Sequence, residues 1–426
     1  MSEMNVLPFP LNRRNFLRTA GGAAAAAGLS VAAAQQSSSA APNKVEPPPG
    51  EHAATDPKTK TPGPFRNDDQ RVGFAVVGLG ALSLEAILPA MAKTKYCKPV
   101  AFVTGHDGNL DKGMKLARQY NVRPEAVLHY SEYEKLAQMP EVKVIYIVLP
   151  NNMHEEYVLR GAKLGKDILC EKPMATTVAA CERMIAACDK AGVKLMVAYR
   201  QQYEPNNRAL AKMIREGKLG TLRSFIASNT QNQGREDQWR LKKAMAGGGC
   251  LPDVGIYCLN AARFLSNEEP YEVSGTTWQP KDDPRFTEVE ATCSFTLRFP
   301  SGLIASCNTG YAGHSSQFYR VEGVEAWGAL EPAFGYHGNK LMMSKLVDGT
   351  ETQMQPRIQE QDQFALEMDH MATCVLKNLP PHTPGEEGLQ DQKLLEAIYE
   401  SARTGKAVKV AVPSKPTRGP EPVAEG

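Results

Sequence analysis

Residues 71–83 read R-V-G-F-A-V-V-G-L-G-A-L-S, a short apolar run that ends in a Gly-x-Gly turn. A buried parallel strand has this continuous apolar character. Glycine after such a strand lets the chain turn tightly and lets a phosphate approach the amides of a helix N-terminus. The stretch therefore predicts the first strand, turn and helix of a dinucleotide-binding fold. Ser83 stands where the fingerprint has glycine or alanine, which leaves an ordinary tight strand–helix turn as the alternative.

The rest of the chain has two regions of different pattern. Up to about residue 198, apolar strands alternate with helices over short connections, which predicts a parallel, doubly wound sheet. After residue 199, long segments alternate apolar and polar residues, as in an antiparallel sheet with one covered face. We therefore predict an α/β protein with an N-terminal Rossmann dinucleotide-binding domain at 69–198. An α+β domain with a large, mostly antiparallel open sheet would occupy 199–412, and a loose tail 413–426.

The first 68 residues have the features of an export signal followed by an arm. Residues 12–18 read N-R-R-N-F-L-R, and a weakly apolar Ala/Gly run follows, with an A-x-A site that ends at Ala34. This predicts a twin-arginine signal at 1–34, the twin-arginine export machinery as a partner, and a periplasmic location. A transmembrane anchor is the alternative, but the run is short and poor in Leu and Ile. Residues 35–68 are Ser-, Ala- and Pro-rich and predict an extended arm.

Composition and cysteine spacing exclude several classes of function. The formal net charge is +2, and the chain has no basic run, so nucleic acid is not an expected partner. Nine cysteines are present without a C-x-x-C pair or histidines at ligand spacing, so no metal site is expected. The twin-arginine route carries folded proteins, which would let unpaired cysteines reach an oxidising compartment.

The end of the second predicted strand indicates which nucleotide is bound. An acidic residue there would bond the ribose 2′-hydroxyl of NAD. This chain has Val103-Thr104-Gly105-His106, with Lys112 beyond. A hydroxyl and a cation suit a 2′-phosphate, so NADP is favoured over NAD. The alternative is a solvated loop and a lysine on a helix surface.

Polar residues follow two later strands, on the edge where such sheets bind ligands. Residues 150–156 read P-N-N-M-H-E-E and residues 170–174 read C-E-K-P-M. Lys172 could donate a hydrogen bond to a substrate hydroxyl, unless it is a surface lysine. Asp253 and Tyr257 are four residues apart on a predicted helix and so share one face. Such a pair is usually structural, but beside a cofactor it could be an acid/base pair.

Together these motifs resemble the glucose-fructose oxidoreductase/inositol dehydrogenase/MocA (Gfo/Idh/MocA) family over about residues 68–406. The combination of Glu171-Lys172-Pro173 with G-G-G-x-L-x-D-x-G-I-Y at 247–257 is specific to it. Within the family, the chain most resembles the periplasmic glucose-fructose oxidoreductases, through its leader and Pro-rich arm among other stretches. In those enzymes the arm reaches a neighbouring subunit, so a homodimer or homotetramer is expected.

The resemblance implies a sugar oxidoreductase that holds NADP tightly. An aldose would be oxidised at C1 to its lactone, and a second sugar would then enter the same site and be reduced, by ping-pong hydride transfer. Lys172, Asp253 and Tyr257 take the catalytic positions: Tyr257 accepts the C1 hydroxyl proton, Lys172 assists that tyrosine, and Asp253 positions the sugar. The substrate set implied is Lys172, Arg200, Tyr203, Asp253 and Tyr257. The cofactor set is Gly78, Leu79, Gly80, Ala81, Leu82, Thr104, Lys112, Leu149, Pro150, Asn152, His154, Glu171, Lys172, Arg200, Trp239, Arg240 and Tyr311.

Three other functions remain open at this stage. The protein could be an ordinary NADP-dependent aldose dehydrogenase that releases its cofactor. It could be a noncatalytic sugar-binding protein, although Lys172, Asp253 and Tyr257 are all present. It could also hydrolyse glycosides through transient oxidation, as some relatives of this fold do. The identity of the sugars stays open, because Gln201-Gln202 differs from the resembled enzymes beside Tyr203.

Overall fold

The computed structural model describes residues 70–105 and 107–422. The predicted signal and arm, His106 and the last four residues of the predicted tail lie outside the described residues. Within them, two sheets form, one from each of the two regions distinguished by sequence pattern. No helix in these ranges is long and apolar enough to span a bilayer.

The first sheet is parallel and has the strand order β3-β2-β1-β4-β5-β6. This is the order of a Rossmann fold, in which ligands bind where the order reverses, next to β1. Every residue of β1 is buried, as the apolar run predicted. The strands are β1 Val72–Val77, β2 Cys97–Thr104, β3 Val127–His129, β4 Val142–Ile147, β5 Asp167–Glu171 and β6 Leu195–Ala198. The helices are α1 Leu88–Met91, α2 Asp107–Gln119, α3 His154–Lys163 and α4 Val178–Ala191, with a π-helical turn at Ser83–Ile87 and 3₁₀ turns at Pro124–Ala126, Tyr130–Gln138 and Asn151–Met153.

The second sheet has the order β14-β13-β12-β11-β7-β10-β9-β8-β15, and within it only the β7–β10 pairing is parallel. This confirms the predicted mostly antiparallel open sheet. Its strands are β7 Leu222–Asn232, β8 Glu272–Trp278, β9 Thr292–Arg298, β10 Ile304–Gly310, β11 Ala312–Gly323, β12 Ala326–Leu330, β13 Leu341–Val347, β14 Thr350–Met354 and β15 Val408–Lys409. Its helices are α5 Pro205–Arg215, α6 Lys243–Ala246, α7 Ile256–Ser266, α8 Gln363–Lys377 and α9 Gly385–Thr404, with a π-helical segment at Leu251–Gly255 and 3₁₀ turns at Arg200–Gln202, Trp239–Leu241 and Pro284–Phe286.

One face of the second sheet is covered by helices and the other is open. Phe225, Ala227 and Ala305 are buried, whereas the alternating neighbours Ile226 and Ile304 are 46% and 45% exposed. The period of two therefore separates a packed face from an open one, as expected for an antiparallel sheet with a single covered face.

Three local predictions differ from the structure. The alternation of apolar and polar residues over 318–330 predicts a single strand, but the structure has two, β11 and β12, which turn between residues 323 and 326. The hairpin β13–β14 was not predicted, although Asp348 and Gly349 have φ of 49° and 78°, the left-handed pair that a two-residue Asp-Gly turn requires. Only the first part of β13 is buried. The alternation that marks a half-covered strand is therefore incomplete there, and the strand was not predicted.

The predicted loose tail is the third difference. Thr417 is buried, and its hydroxyl donates to Glu387 over 2.7 Å. The Arg418 guanidinium lies 3.1 Å from the same carboxylate. Residues 413–422 are therefore anchored by polar contacts, which an apolar periodicity search does not detect.

Candidate functional site

A cavity of about 770 Å³ lies at the carboxyl ends of the parallel strands. It runs from the Gly-x-Gly turn after β1 to the helix that carries Asp253 and Tyr257. The structure thus joins the predicted dinucleotide turn and the predicted catalytic residues in one space. The lining residues are Gly78, Leu79, Gly80, Ala81, Leu82, Thr104, Gly105, Tyr130, Val148, Leu149, Pro150, Asn151, Met153, Glu171, Lys172, Ala198, Arg200, Gln238, Trp239, Arg240, Met245, Asp253, Tyr257, Tyr336 and Phe364.

The turn after β1 requires glycine for two different reasons. Gly78 has φ +96°, and a Cβ there would overlap the carbonyl oxygen of Val148. A Cβ at Gly80 would meet no atom within 4 Å, so Gly80 leaves open space above the turn. Ser83, which departs from the fingerprint, is buried, and its hydroxyl donates to the Gly78 carbonyl over 2.5 Å. The serine therefore braces the turn from within.

The end of β2 forms the far part of the cavity. Thr104 and Gly105 line it, and the ring of Tyr130 packs against Gly105 so closely that a Cβ would overlap it. Lys112 lies on α2 and donates to the Leu79 carbonyl over 3.3 Å, without lining the cavity itself. Thr104 therefore lines the cavity itself, whereas Lys112 contacts the backbone of the glycine turn.

Lys172 and Asp253 form an ion pair at the opposite end of the cavity. The Lys172 ammonium lies 2.8 Å from the Asp253 carbonyl oxygen and 3.1 Å from its Oδ1. The two side chains are only 10% and 13% exposed. The same ammonium lies 4.5 Å from the centre of the Tyr257 ring. The three predicted catalytic residues therefore meet here, Lys172 from the end of β5, Asp253 from the helical segment that leads into α7 and Tyr257 from α7 itself.

Asp253 is the hub of the polar contacts in this part of the site. Its Oδ2 accepts hydrogen bonds from Arg240 Nε at 3.0 Å and from the Tyr311 hydroxyl at 2.5 Å. Burial alone would raise the pKa of Asp253, but the charges of Lys172 and Arg240 outweigh it, together with the hydrogen bond from Tyr311, and leave that pKa lowered. Asp253 is therefore an anion throughout the neutral range.

Arg200 forms one wall beside Tyr257. Its guanidinium carbon lies 4.8 Å from the centre of the Tyr257 ring and 4.4 Å from that of Tyr336. The guanidinium also donates to Gln363 Oε1 and to the Phe334 carbonyl, both over 2.8 Å. Because Arg200 is buried, these contacts hold it in one orientation against the tyrosine.

The glycine run at 247–249 fixes the start of the catalytic helix. Glu290 accepts hydrogen bonds from the amides of Gly249 and Leu251, each over 2.9 Å, and from the Tyr399 hydroxyl over 2.8 Å. A Cβ at Gly248 would overlap that hydroxyl. Glycine is needed in this run because the Glu290 carboxylate and the Tyr399 phenol lie against its backbone. The run directly precedes the segment that carries Asp253.

Besides Lys112, four residues of the predicted set do not line the cavity. Tyr203 is buried, and its hydroxyl lies 3.1 Å from Thr383 Oγ1, so the structure does not support its contact with a substrate. Asn152 is exposed, and the neighbouring Asn151 lines the cavity instead. The ring nitrogens of His154 lie 2.8 Å from the Leu149 carbonyl and 3.0 Å from the Pro173 carbonyl, so that histidine braces two strand ends. Tyr311 reaches the site only through Asp253.

Several lining residues were not predicted from sequence. Tyr130, Met245, Tyr336 and Phe364 all contribute to the wall. Tyr336 and Phe364 come from a loop and from the start of α8, which no spacing rule links to the strand ends. The only sequence signal would have been their aromatic character, which is common in protein cores.

Metal ligation has no support among residues 70–105 and 107–422. No group of three His, Cys, Asp or Glu side chains there could hold a metal ion. All nine cysteines are buried free thiols.

Comparisons with known proteins agree with this geometry. The family model described as an oxidoreductase family with an NAD-binding Rossmann fold matches residues 72–199, and the GFO/IDH/MocA C-terminal domain model matches residues 207–327. A twin-arginine translocation signal model matches residues 10–30. The signal indicates export by the twin-arginine route, which in bacteria leads to the periplasm.

Three relatives are similar over most of their length. The solved structure of an aldose-aldose oxidoreductase from Caulobacter crescentus, complexed with glycerol, is 38% identical, with a TM-score of 0.76, and covers 80% of this chain and 100% of its own. The D-xylose 1-dehydrogenase [NADP(+)] of Haloarcula marismortui is 32% identical over 348 residues, which is 80% of this chain and 94% of that protein. A second D-xylose 1-dehydrogenase, from Haloferax volcanii, is 27% identical over 342 residues.

Proposed function

Because the chain belongs to the Gfo/Idh/MocA family of oxidoreductases, we propose that it is an exported, NADP-dependent sugar oxidoreductase that keeps its cofactor between two half-reactions. In the first, an aldose loses a hydride from C1 and becomes a lactone. In the second, another sugar enters the same site and takes that hydride. The observation that carries the proposal is the single cavity that joins the glycine turn to Lys172, Asp253 and Tyr257.

The residues present fit a dinucleotide. Gly80 leaves open space above the turn, and a cavity of about 770 Å³ is within the usual size range for cofactor sites. The amides of Leu79 to Leu82 would hold the pyrophosphate and Thr104 the ribose at the far end, with Leu149, Pro150 and Glu171 along the path. When bound, NADP supplies the acceptor for the hydride that leaves the sugar.

The catalytic roles follow from the charges around Tyr257. Tyr257 acts as a base in its deprotonated form and takes the proton of the C1 hydroxyl. The cations of Lys172 and Arg200 near its ring favour this anion. The anionic Asp253 accepts a hydrogen bond from the sugar and keeps Lys172 charged and oriented. Trp239 and Arg240 would close the wall next to the sugar.

Retention of the cofactor is consistent with the export route. The twin-arginine signal sends the protein to a compartment where no pool of free nicotinamide nucleotide is expected. An enzyme there gains from carrying its cofactor along and regenerating it with a second sugar. The similarity to an aldose-aldose oxidoreductase supports the same proposal.

The ordinary aldose dehydrogenase remains a second candidate, because two relatives are named as NADP-dependent D-xylose dehydrogenases. The two candidates differ in whether the cofactor leaves. The test is to purify the exported protein without added nucleotide, dialyse it, denature it and identify any released nucleotide by mass. We expect stoichiometric NADP, and we expect the native sample to convert sugar pairs without added cofactor. Protein that emerges empty and turns over only with free NADP would establish the dehydrogenase.

We also propose that the protein forms a homodimer or homotetramer through the open face of the second sheet. On that face Trp278 is 57% exposed, and Ile226 and Ile304 add apolar surface on β7 and β10. Surface of this kind marks an interaction site in soluble proteins. Light scattering on an Ile226→Asp, Ile304→Asp double variant should give a smaller particle than the unaltered protein. Deletion of residues 35–68 tests separately whether the arm also holds subunits together.

A further inference from the structure

Glu367 on α8 is a buried carboxyl group that the proposed reaction does not use. It is fully buried, and its Oε2 has no hydrogen-bond partner among the described residues. Its Oε1 lies 3.4 Å from the hydroxyl of Tyr146. The same hydroxyl lies 2.8 Å from Oε1 of Glu171. One buried phenol therefore joins two buried carboxyl groups, and one of these, Glu171, lines the cavity.

The hydrogen-bond geometry assigns a proton to Glu367. The phenol has one proton, and the shorter contact shows that it is donated to Glu171. Glu367 can then form a hydrogen bond with Tyr146 only by donating a proton to the phenol oxygen, and only the neutral acid has a proton to donate. Burial and then the charge of Glu171 raise the pKa of Glu367 well above its usual value, which agrees with this assignment.

The charges around the pair determine which member is ionised. Lys172 adjoins Glu171 in sequence, and its backbone amide donates to Glu171 Oε2 over 3.3 Å. The Lys172 and Arg200 charges both favour the anion of Glu171, although burial raises its pKa overall. The resting pair thus holds one proton, on Glu367, and one negative charge, on Glu171 beside the cavity.

The location of Glu171 connects the pair with the reaction. Lys172 lies between Glu171 and Tyr257, because its backbone amide contacts Glu171 while its ammonium lies 4.5 Å from the Tyr257 ring. Sugar oxidation removes the positive charge of the nicotinamide and releases a proton. A change of net charge beside buried groups costs free energy, because the protein interior solvates ions poorly. A proton added to Glu171 would leave the net charge of the site unchanged.

We propose that the Glu171–Tyr146–Glu367 group stores the proton released by sugar oxidation and returns it to the second sugar. The inference rests on the proposed function. In the first half-reaction the C1–H bond breaks and its hydride goes to the nicotinamide, while the hydroxyl proton passes to Tyr257 and finally to the carboxyl pair, as a C=O bond forms. The pair then holds two protons. In the second half-reaction, the carbonyl carbon of the second sugar would take the hydride and its oxygen would take one proton from the pair.

The resting proton can be tested without adding a sugar. Infrared difference spectra of the purified protein at neutral pH, with the nucleotide it retains, unaltered minus Glu367→Gln, should show the carbonyl band of a protonated carboxyl group. Glu360→Gln is the matched control, because Glu360 precedes the same helix but is 58% exposed, and its difference spectrum should lack that band. A Glu367→Gln spectrum that retains the whole band overturns the inference.

Proton storage is tested on the protein loaded with NADP. One sugar is added in weak buffer with an indicator dye, and protons released are counted against cofactor reduced. We expect the unaltered protein to release much less than a full proton per cofactor reduced, and Glu171→Gln, which removes the carboxylate that accepts the proton, to release a full one. Tyr146→Phe keeps both carboxyl groups but removes the hydrogen bond that favours the Glu171 anion. Glu171 should then hold a proton before the reaction, so this variant should also release a full proton, and it serves if Glu171→Gln does not fold.

The outcomes separate the two proposals. Full proton release by the unaltered protein, with normal cofactor reduction, overturns the storage role alone. Equal release by the unaltered protein and both variants does the same. If no sugar reduces the cofactor, the proposed function fails and the storage role fails with it, while the infrared band still decides where the resting proton lies.

Discussion

The hydroxyl of Tyr311 donates a hydrogen bond to Asp253 Oδ2 over 2.5 Å, although the residues are 58 positions apart in the chain. Tyr311 lies between β10 and β11, and Asp253 precedes α7. Tyr311 is fully buried and the Asp253 side chain is 13% exposed, and the Asp253 carboxylate is also bound by Lys172 and Arg240. The second sheet is thereby connected to the catalytic helix through one carboxylate, which makes Tyr311 a positioning residue.

Tyr311→Phe should lower kcat about tenfold, because a hydrogen bond to a charged group contributes about 1.5–3 kcal/mol. Nucleotide content should not change, because Tyr311 does not line the cavity. Steady-state rates and the nucleotide released on denaturation measure the two effects. Tyr319→Phe is the control, since that buried hydroxyl donates to Asn207 instead. Equal losses in both variants would indicate a general packing defect.

Lys172→Met should reduce sugar oxidation by roughly 100- to 10,000-fold, the usual contribution of a group that assists proton transfer. The methionine keeps most of the side-chain volume, but it removes the charge near Tyr257 and Asp253. Bound nucleotide should remain, because the glycine turn at the other end of the cavity is unchanged. Single-turnover reduction of bound NADP, followed by its absorbance, gives the rate. Normal turnover by this variant would exclude lysine from the mechanism.

Gly248→Ala should destabilise the start of the catalytic helix by about 1–3 kcal/mol, because the new methyl group overlaps the Tyr399 hydroxyl. The loss should be smaller when Tyr399→Phe is combined with it, and a double-mutant cycle on urea unfolding measures that coupling. Gly313→Ala is the matched control, since a Cβ there would make only ordinary contacts. A cycle with no coupling would show that the hydroxyl does not restrict Gly248.

The pH dependence of stability should carry the signature of Asp253. Its pKa is lowered in the folded protein, so the stability it contributes is fully present above the unfolded value, about 3.9. That contribution is lost as the pH falls through the lower, folded value. The difference in unfolding free energy between the unaltered protein and Asp253→Asn should therefore be constant from pH 5 to pH 8 and change only in more acidic buffer. Chemical denaturation at several pH values measures it, and a change centred near neutrality would contradict the assignment.

Much of the fold could be predicted from sequence because its strands are governed by periodicity. β1 is a continuous apolar run and was recognised as buried and parallel. β9 and β10 alternate, and were recognised as half-covered. β13 was not predicted, because the pattern of a half-covered strand does not continue into its second half, where Leu346 and Val347 are exposed. The hairpin that it forms with β14 depends on the Asp-Gly turn more than on burial.

The site was predictable only where a motif combines spacing with chemistry. The family resemblance implies that Lys172 and Asp253 share one site, and their side chains lie 3.1 Å apart in the structure. Tyr203 was misplaced because a tyrosine next to Arg200 does not reveal which way its ring points. Tyr336 and Phe364 were missed because only tertiary folding brings them to the cavity.

The anchored tail has a consequence for the life of the protein before export. Glu387 is completely buried, and its carboxylate is neutralised by Arg263 on α7 and by Arg418. Residues 417 and 418 leave the ribosome after both helices, so the second domain cannot close its charge network until they have been made. In a nascent or truncated chain that lacks them, the buried negative charge of Glu387 would be only partly compensated, by Arg263. Since the twin-arginine route carries folded cargo, residues 417 and 418 would have to be in place before the protein is exported.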